Sequence, residues 1–203
     1  MTAAGRTRGW SEHWRRLRPL YLAALLCLIP VVASYLAYYR FPPAGRTNYG
    51  ELIDPQRATP DLALHGLDGT PFDLGSLRGR WVMLTVDHAE CTETCRTKLW
   101  NMRQVRTAAG KERDRVERVL LLIDDGPTTT MLLREFEGTH FLRAAAGQLE
   151  PFLLLPRDGK TRLEDCVWLI DPLGHLMLRW PPAADASRMK KDLDRLLRAS
   201  RIG

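Results

Sequence analysis

A run of 20 residues without formal charge, from Leu20 to Tyr39, is the strongest constraint on how this chain folds. At a rise of about 1.5 Å per residue, a helix over this run is about 30 Å long, the thickness of a bilayer core. Aromatic residues lie on both flanks of the run, where amphipathic rings favour the membrane interface. The run therefore predicts one transmembrane helix over residues 20–39.

The same run could instead belong to a cleaved signal peptide, with Val31-Val32-Ala33 as a small-residue cleavage site. The hydrophobic part of a signal peptide usually has about 7–15 residues, and this run is longer. We therefore interpret it as an anchor. Either interpretation exports the chain after Arg40.

The net formal charge of +6 is concentrated beside the apolar run. Residues 1–19 hold five arginines against one glutamate, a net charge of +4, and Arg40 adds one more on the other side. Because positively charged flanks stay in the cytoplasm, residues 1–19 are predicted to be a basic cytoplasmic tail. The protein is then a single-pass membrane protein with its domain outside the cytoplasm. A nucleic-acid-binding protein would concentrate positive charge on its folded domain, so no nucleic-acid partner is expected.

The exported part is predicted to contain a linker and one folded domain. Residues 40–59 combine three prolines and two glycines with no apolar periodicity, which is typical of a linker. Residues 60–203 alternate patterns typical of strands and helices, in the order hairpin, strand, helix, strand, helix, hairpin, helix. The central strands are predicted at 81–86 and 118–124, because both are continuous apolar runs. This order predicts an α/β fold with a mixed sheet flanked by helices.

Cys91 and Cys95 form a C-T-E-T-C motif between the first central strand and a predicted helix. Four residues apart on a helix, two side chains share a face, and unpaired amides and a partial positive charge at a helix N-terminus stabilise a thiolate. A thiolate is both the attacking species in disulfide exchange and a soft metal ligand. Dithiol–disulfide redox chemistry and Cu(I) binding therefore stay open, against the plainer interpretation of a static disulfide or two buried cysteines.

Cys166 and His88 are two further candidates for this site. With Cys91 and Cys95, Cys166 makes three cysteines in the exported part, so at least one thiol is free or shared. Cys166 could be a third ligand or a resolving thiol, or an ordinary buried residue. His88 stands three residues before Cys91 and could orient or activate a thiol, or simply end a strand.

These features resemble the Sco/SenC family of membrane-anchored, thioredoxin-like proteins that serve cytochrome c oxidase assembly. The similarity covers roughly residues 61–197, and the cysteine spacing is its distinctive part. The segments that carry it are L-H-G-L-D-G-T-P-F-D-L-G-S-L-R-G-R-W at 64–81, C-T-E-T-C at 91–95, L-L-I-D-D-G-P-T-T-T at 121–130 and W-L-I-D-P-L-G-H at 168–175.

The resemblance implies a thioredoxin-like domain in which Cys91 and Cys95 carry out thiol–disulfide exchange or bind Cu(I). Its implied partners are the membrane and a cytochrome c oxidase subunit or another thiol or copper assembly protein. Two features depart from the family. Thr92 and Arg96 stand where it generally has prolines, and Leu163 stands where it has its copper-ligand histidine. We therefore expect thiol redox chemistry in copper-site assembly, with a Cu(I) chaperone or a non-catalytic assembly scaffold as the alternatives.

The charge distribution predicts the orientation of the chain. A reporter that is active only outside the cytoplasm, fused after Gly203, is expected to be active, because the arginine-rich flank stays inside. Membrane association is expected to resist carbonate extraction, because the anchor is retained. Activity from a cytoplasmic reporter alone would contradict the orientation, and release by carbonate would favour the signal peptide.

Overall fold

The computed structural model describes residues 8–40, 48–200 and 202, with side chains of the first helix described from residue 18. The chain divides into two compact units, residues 1–47 and 48–203, and each is described by itself. The remaining residues, which include the first part of the predicted basic tail and residues 41–47 of the predicted linker, lie outside the described ranges.

The first unit contains one long helix, α1, over Arg8–Arg40. Its part from Arg18 to Arg40 has a mean hydropathy of 2.2 and is long and apolar enough to cross a membrane. The helix predicted over residues 20–39 is thus present. It begins earlier than the predicted span, inside the segment predicted as a tail.

The second unit is built on a mixed sheet, in which the described residues form eight strands in the order β1-β8-β7-β4-β5-β6-β2-β3. Strand β4 is parallel to β5, which is parallel to β6, and the other pairs are antiparallel. All residues of β4 and β5 are buried, as expected for strands covered on both faces. The strands are β1 Glu51–Ala58, β2 Leu64–Gly66, β3 Pro71–Phe72, β4 Trp81–Asp87, β5 Val116–Leu122, β6 Thr139–Arg143, β7 Val167–Ile170 and β8 His175–Trp180.

Helices cover both faces of this sheet. They are α2 Glu93–Ala108, α3 Thr130–Glu135, α4 Ala146–Leu149 and α5 Ala186–Ala199. On one face, side chains of α2 and α5 pack with Met83 and Leu169 of the sheet. On the other face, Leu84 and Trp168 pack with Leu149 of α4. The predicted fold class, a mixed sheet flanked by helices, is confirmed.

The linker predicted over residues 40–59 is wrong for residues 51–58, which form β1 at the edge of the sheet. Only Ile53 of its eight residues is buried, so the strand shows no apolar alternation in the sequence. Its pairing with β8 uses backbone groups, and it accommodates Pro55 because the strand lies at an edge and carries an irregularity between Leu52 and Arg57.

A buried carboxylate on α5 holds the chain where β1 begins. Asp192 accepts hydrogen bonds from the backbone N–H groups of Tyr49 at 3.0 Å and Gly50 at 2.8 Å. It also accepts one from Nε1 of Trp180 at 3.1 Å. Because a buried carboxylate needs several donors to offset its desolvation, these bonds tie β8 and the start of β1 to the last helix.

Candidate functional site

Cys91 and Cys95 are joined by a disulfide at the junction of β4 and α2. Their Sγ atoms are 1.98 Å apart and their Cα atoms 5.1 Å apart. Cys95 lies in the first turn of α2, and Cys91 precedes the N-cap residue Thr92. Cys91 has a φ of +44°, a left-handed conformation that few residues other than glycine adopt. The strand-to-helix junction predicted for the motif is therefore correct.

The disulfide lies in an apolar cluster at this end of the sheet. Cys95 is completely buried, whereas Cys91 keeps 4% of its surface. Both pack with Leu99 of α2 and with side chains from β5 and α3. Of the two cysteines, only Cys91 therefore keeps any contact with solvent.

The first turn of α2 is suited to stabilising a thiolate. Thr92 makes no side-chain hydrogen bond to the helix, so the first amides of α2 are not capped by it. Those amides and the partial positive charge of the helix N-terminus favour a negatively charged sulfur next to them. Reduction of the disulfide places both sulfur atoms in this field.

A buried ion pair lies one helical turn beyond Cys95. The Nζ atom of Lys98 is 2.8 Å from Oδ2 of Asp87, and both side chains are nearly inaccessible to solvent. Lys98 also donates to the backbone carbonyls of Val86, at 3.0 Å, and of Glu164. The three donors of the ammonium group thus have partners from the end of β4 and from the segment before β7.

His88 connects the loop before Cys91 to two other loops. Its Nδ1 is 3.1 Å from Oδ2 of Asp124, and its Nε2 is 3.5 Å from Oε1 of Glu164. The side chain is 53% exposed. Its backbone carbonyl accepts a hydrogen bond from the N–H of Cys91 at 3.0 Å. Because both ring nitrogens face carboxylates, the structure gives His88 the role of holding the loop that carries Cys91.

Asp124, which follows β5, fixes the same loop through its second oxygen. Its Oδ1 accepts a hydrogen bond from the N–H of Ala89 at 2.8 Å. Partial desolvation raises the pKa of Asp124, but the hydrogen bonds from Ala89 and His88 outweigh it and hold that pKa below its ordinary value. The carboxylate therefore stays charged, and keeps both bonds, through the neutral range.

Cys166 is separated from the disulfide by the sheet. It is fully buried and packs with Leu163 and Trp168, in the cluster on the face opposite to the one that holds Cys91 and Cys95. Burial raises the pKa of the Cys166 thiol to about 11, so it is uncharged at neutral pH. A protonated thiol is neither a nucleophile nor a strong metal ligand, which argues for the structural interpretation of Cys166.

The metal that this site could hold depends on which His, Cys, Asp and Glu side chains lie close together. Within residues 8–40, 48–200 and 202, no group of three or more His, Cys, Asp or Glu side chains is placed to hold a metal ion. The oxidised cysteines offer no thiolate. After reduction, Cys91 and Cys95 supply two soft ligands, which suit Cu(I), whereas Cu(II) favours nitrogen and oxygen ligands in a tetragonal arrangement.

Three residues of the site were not identified from the sequence, namely Asp87, Lys98 and Asp124. Lys98 gave a usable signal, because it stands on the same helical face as the buried positions Cys95, Leu99 and Met102. A lysine on an apolar stripe needs a buried partner. Asp87 and Asp124 gave no comparable signal, since Asp87 ends β4 and Asp124 follows β5, places where surface aspartates are also common.

The fold and the disulfide together define a thioredoxin-like domain with a cysteine pair at the start of α2. The chain belongs to the family of transmembrane-like, thioredoxin-like C-terminal domains, whose model matches residues 81–200.

A putative copper-binding protein from Stutzerimonas stutzeri is 30% identical over 120 residues, which are 59% of this chain and 56% of that protein. The chain thus matches little more than half the length of this relative.

Two solved structures are similar in fold. Yeast Sco1 with copper bound has a TM-score of 0.54 at 14% identity, covering 73% of this chain and 96% of its own. BsSco, described as a member of the Sco family of cytochrome c oxidase assembly proteins with a disulfide switch, has a TM-score of 0.53 at 15% identity, with coverages of 73% and 96%. These likenesses confirm the Sco-like fold expected from the sequence.

The buried ion pair predicts a large effect of replacing Lys98. Lys98→Met leaves the carboxylate of Asp87 buried without its cation, so we expect a loss of about 3–5 kcal/mol in the free energy of unfolding. The measurement is urea denaturation of the full chain in detergent micelles, followed by tryptophan fluorescence. Lys190→Met is the matched control, because Lys190 pairs with Asp194 at the surface of α5 and its loss costs about 0.5 kcal/mol or less. Equal effects of the two substitutions would contradict the structural importance of the Lys98 pair.

Proposed function

We propose that this protein is a membrane-anchored thiol–disulfide redox protein of the bacterial cell envelope that acts in the assembly of the copper site of cytochrome c oxidase. The observation that carries the proposal is the Cys91–Cys95 disulfide at the N-terminus of α2, in a Sco-like fold. The similarity to BsSco, a member of a family of oxidase assembly proteins, supports the pathway. The substrate is the cysteine pair of an oxidase subunit or of another thiol or copper assembly protein.

The reaction begins with the reduced cysteine pair. The thiolate of Cys91, the less buried sulfur, attacks one sulfur of the substrate disulfide. The bond between the two substrate sulfurs breaks, one leaves as a thiolate, and a mixed disulfide with Cys91 forms. The helix N-terminus favours the thiolate that starts this step.

The second step returns the pair to the state seen in the structure. The thiolate of Cys95 attacks the Cys91 sulfur and expels the second substrate thiolate, which takes up a proton from water. Two electrons have then passed from the cysteine pair to the substrate, and the Cys91–Cys95 disulfide has formed. Cys95 needs no contact with the substrate for this step, because its target is the sulfur of Cys91, four residues away in the sequence.

The proposed location follows from α1 and the disulfide together. A single apolar helix of sufficient length precedes the domain, and arginines are concentrated on its N-terminal side. Disulfides form and persist outside the cytoplasm. Both features support an inner-membrane anchor with the domain in the periplasm.

Carrying Cu(I) as cargo is the second candidate function. It is favoured by the similarity to a putative copper-binding protein and by the two soft sulfur ligands that reduction would provide. Loss of both chemistries would leave the third alternative, an assembly scaffold that uses the fold alone.

The redox function predicts one reversible two-electron transition of Cys91 and Cys95. We expect the full chain in detergent micelles to cycle in dithiol buffers at a potential above about −300 mV, since structural disulfides usually lie below that value. The measurement is alkylation of free thiols followed by mass spectrometry. With a disulfide-containing peptide as substrate, Cys95→Ser is expected to accumulate a mixed disulfide at Cys91, and Cys91→Ser is not.

Cys166 serves as an internal control in that experiment. Its alkylation, measured after denaturation, is expected to stay constant across the titration, and Cys166→Ala should titrate like the wild-type chain. A disulfide between Cys166 and either other cysteine would show that the active pair is assigned wrongly. A pair that cannot be reduced in the folded chain would favour the scaffold.

The copper function predicts selectivity for the monovalent ion. The reduced full chain is expected to bind Cu(I) in a manner that requires both Cys91 and Cys95, and to bind Cu(II) weakly or not at all, because an imidazole ligand is missing. The measurement is a competition titration with each ion, repeated with Cys166→Ala and His88→Ala. Strong stoichiometric Cu(II) binding that is lost in either variant would reveal a replacement ligand. Binding of neither ion would exclude the copper function and leave redox chemistry or scaffolding.

A further inference from the structure

A groove of about 360 Å³ lies between α2 and segment 181–184, which joins β8 to α5. Glu93 and Thr94, which stand between the two cysteines in the sequence, line one wall. The groove therefore begins two residues from Cys91 along the chain, and neither cysteine is part of its lining.

The floor and the far wall of the groove are apolar, and their residues are held in place by packing against the domain core. Buried Val167, Ala184 and Met189 contribute to its lining. Two consecutive prolines, 181 and 182, restrict the backbone of the far wall. Nδ2 of Asn101 donates a hydrogen bond to the carbonyl of Ala184 at 3.0 Å, which links this wall to α2. A groove held in this way loses little freedom when a ligand enters it.

The charged groups at the groove are unbalanced. Glu93 and Asp165 line it, and the only cation in its described lining, Lys98, is already bound to Asp87 and two carbonyls. This local excess of negative charge contrasts with the domain as a whole, because residues 48–203 contain 23 lysines and arginines and 23 aspartates and glutamates.

We propose that this groove binds an extended segment of the redox partner that places an apolar side chain in the groove and a basic side chain against Glu93 and Asp165. Charge complementarity selects a basic segment, and the apolar lining selects a neighbouring apolar residue. Because Glu93 of the groove wall is two residues from Cys91 in the sequence, a segment bound in the groove lies near that cysteine. The inference rests on the proposed redox function, since it names the kind of segment on which that function acts.

The test separates binding from redox chemistry by using peptides without sulfur. The first is a short synthetic peptide with serine in place of the reacting cysteine, flanked by leucine and arginine. The second has glutamate in place of the arginine. Fluorescence anisotropy with the oxidised full chain in detergent micelles is expected to show tighter binding of the arginine peptide, with a preference that shrinks at about 1 M salt, where the screening length is about 3 Å.

Two matched variants locate the contact. Glu93→Gln is expected to weaken binding of the arginine peptide by about two- to fivefold, the range of one exposed charge pair. Asp125→Asn removes the same charge from a fully exposed position outside the groove and is expected to change the affinity little. Equal binding of the two peptides, binding of neither, or equal effects of the two variants would overturn the proposal.

The redox function is tested separately by oxidising the reduced chain with glutathione disulfide. Reversible oxidation without selective peptide binding overturns the groove assignment alone. Selective peptide binding without reversible oxidation supports the groove and overturns the redox function.

Discussion

Lys98 and Asp87 form their ion pair where β4 meets α2, and removing two charges from water at such a place costs several kcal/mol for each ion. The cost is offset by close contact, by two carbonyls that accept from Lys98, and by the N–H of His88, which donates to Asp87 at 2.9 Å. These partners belong to the strand, the helix and the segment before β7. The pair thus sets the position of the first turn of α2, and of Cys95, relative to the sheet.

Around the disulfide, the nitrogen and oxygen side-chain groups are paired with one another. Leu163, at the place implied for a family histidine, is buried in the core, and Glu164 after it faces His88. The imidazole and its neighbouring carboxylates hold loops together around the cysteine pair. Under the proposed function, the chemistry of the site is that of its two sulfurs: exchange of disulfides and binding of soft ions.

Elements with a side-chain signature were predicted from the sequence, and those defined by tertiary pairing were not. The central strands were recognisable as continuous apolar runs, and β4 and β5 are found at those places. Strand β1 was not predicted, because only one of its eight residues is buried and the sequence therefore shows no alternation of apolar and polar residues. Likewise the cysteine spacing indicated a paired site. The partners of His88, however, are Asp124 and Glu164, which lie 36 and 76 residues further along the chain. No local sequence pattern connects residues so far apart.

The disulfide joins residues only four positions apart, which has a consequence for the energetics of the whole domain. Closing so short a loop removes little conformational freedom from the denatured chain, on the order of 2 kcal/mol in the chain-entropy model. The sheet, the two core faces and the Lys98 pair do not depend on that bond. Reduction is therefore expected to lower the free energy of unfolding by no more than that amount, so oxidation state is only weakly coupled to folding. Such weak coupling is what the proposed redox cycle requires, because the domain has to stay folded in both oxidation states.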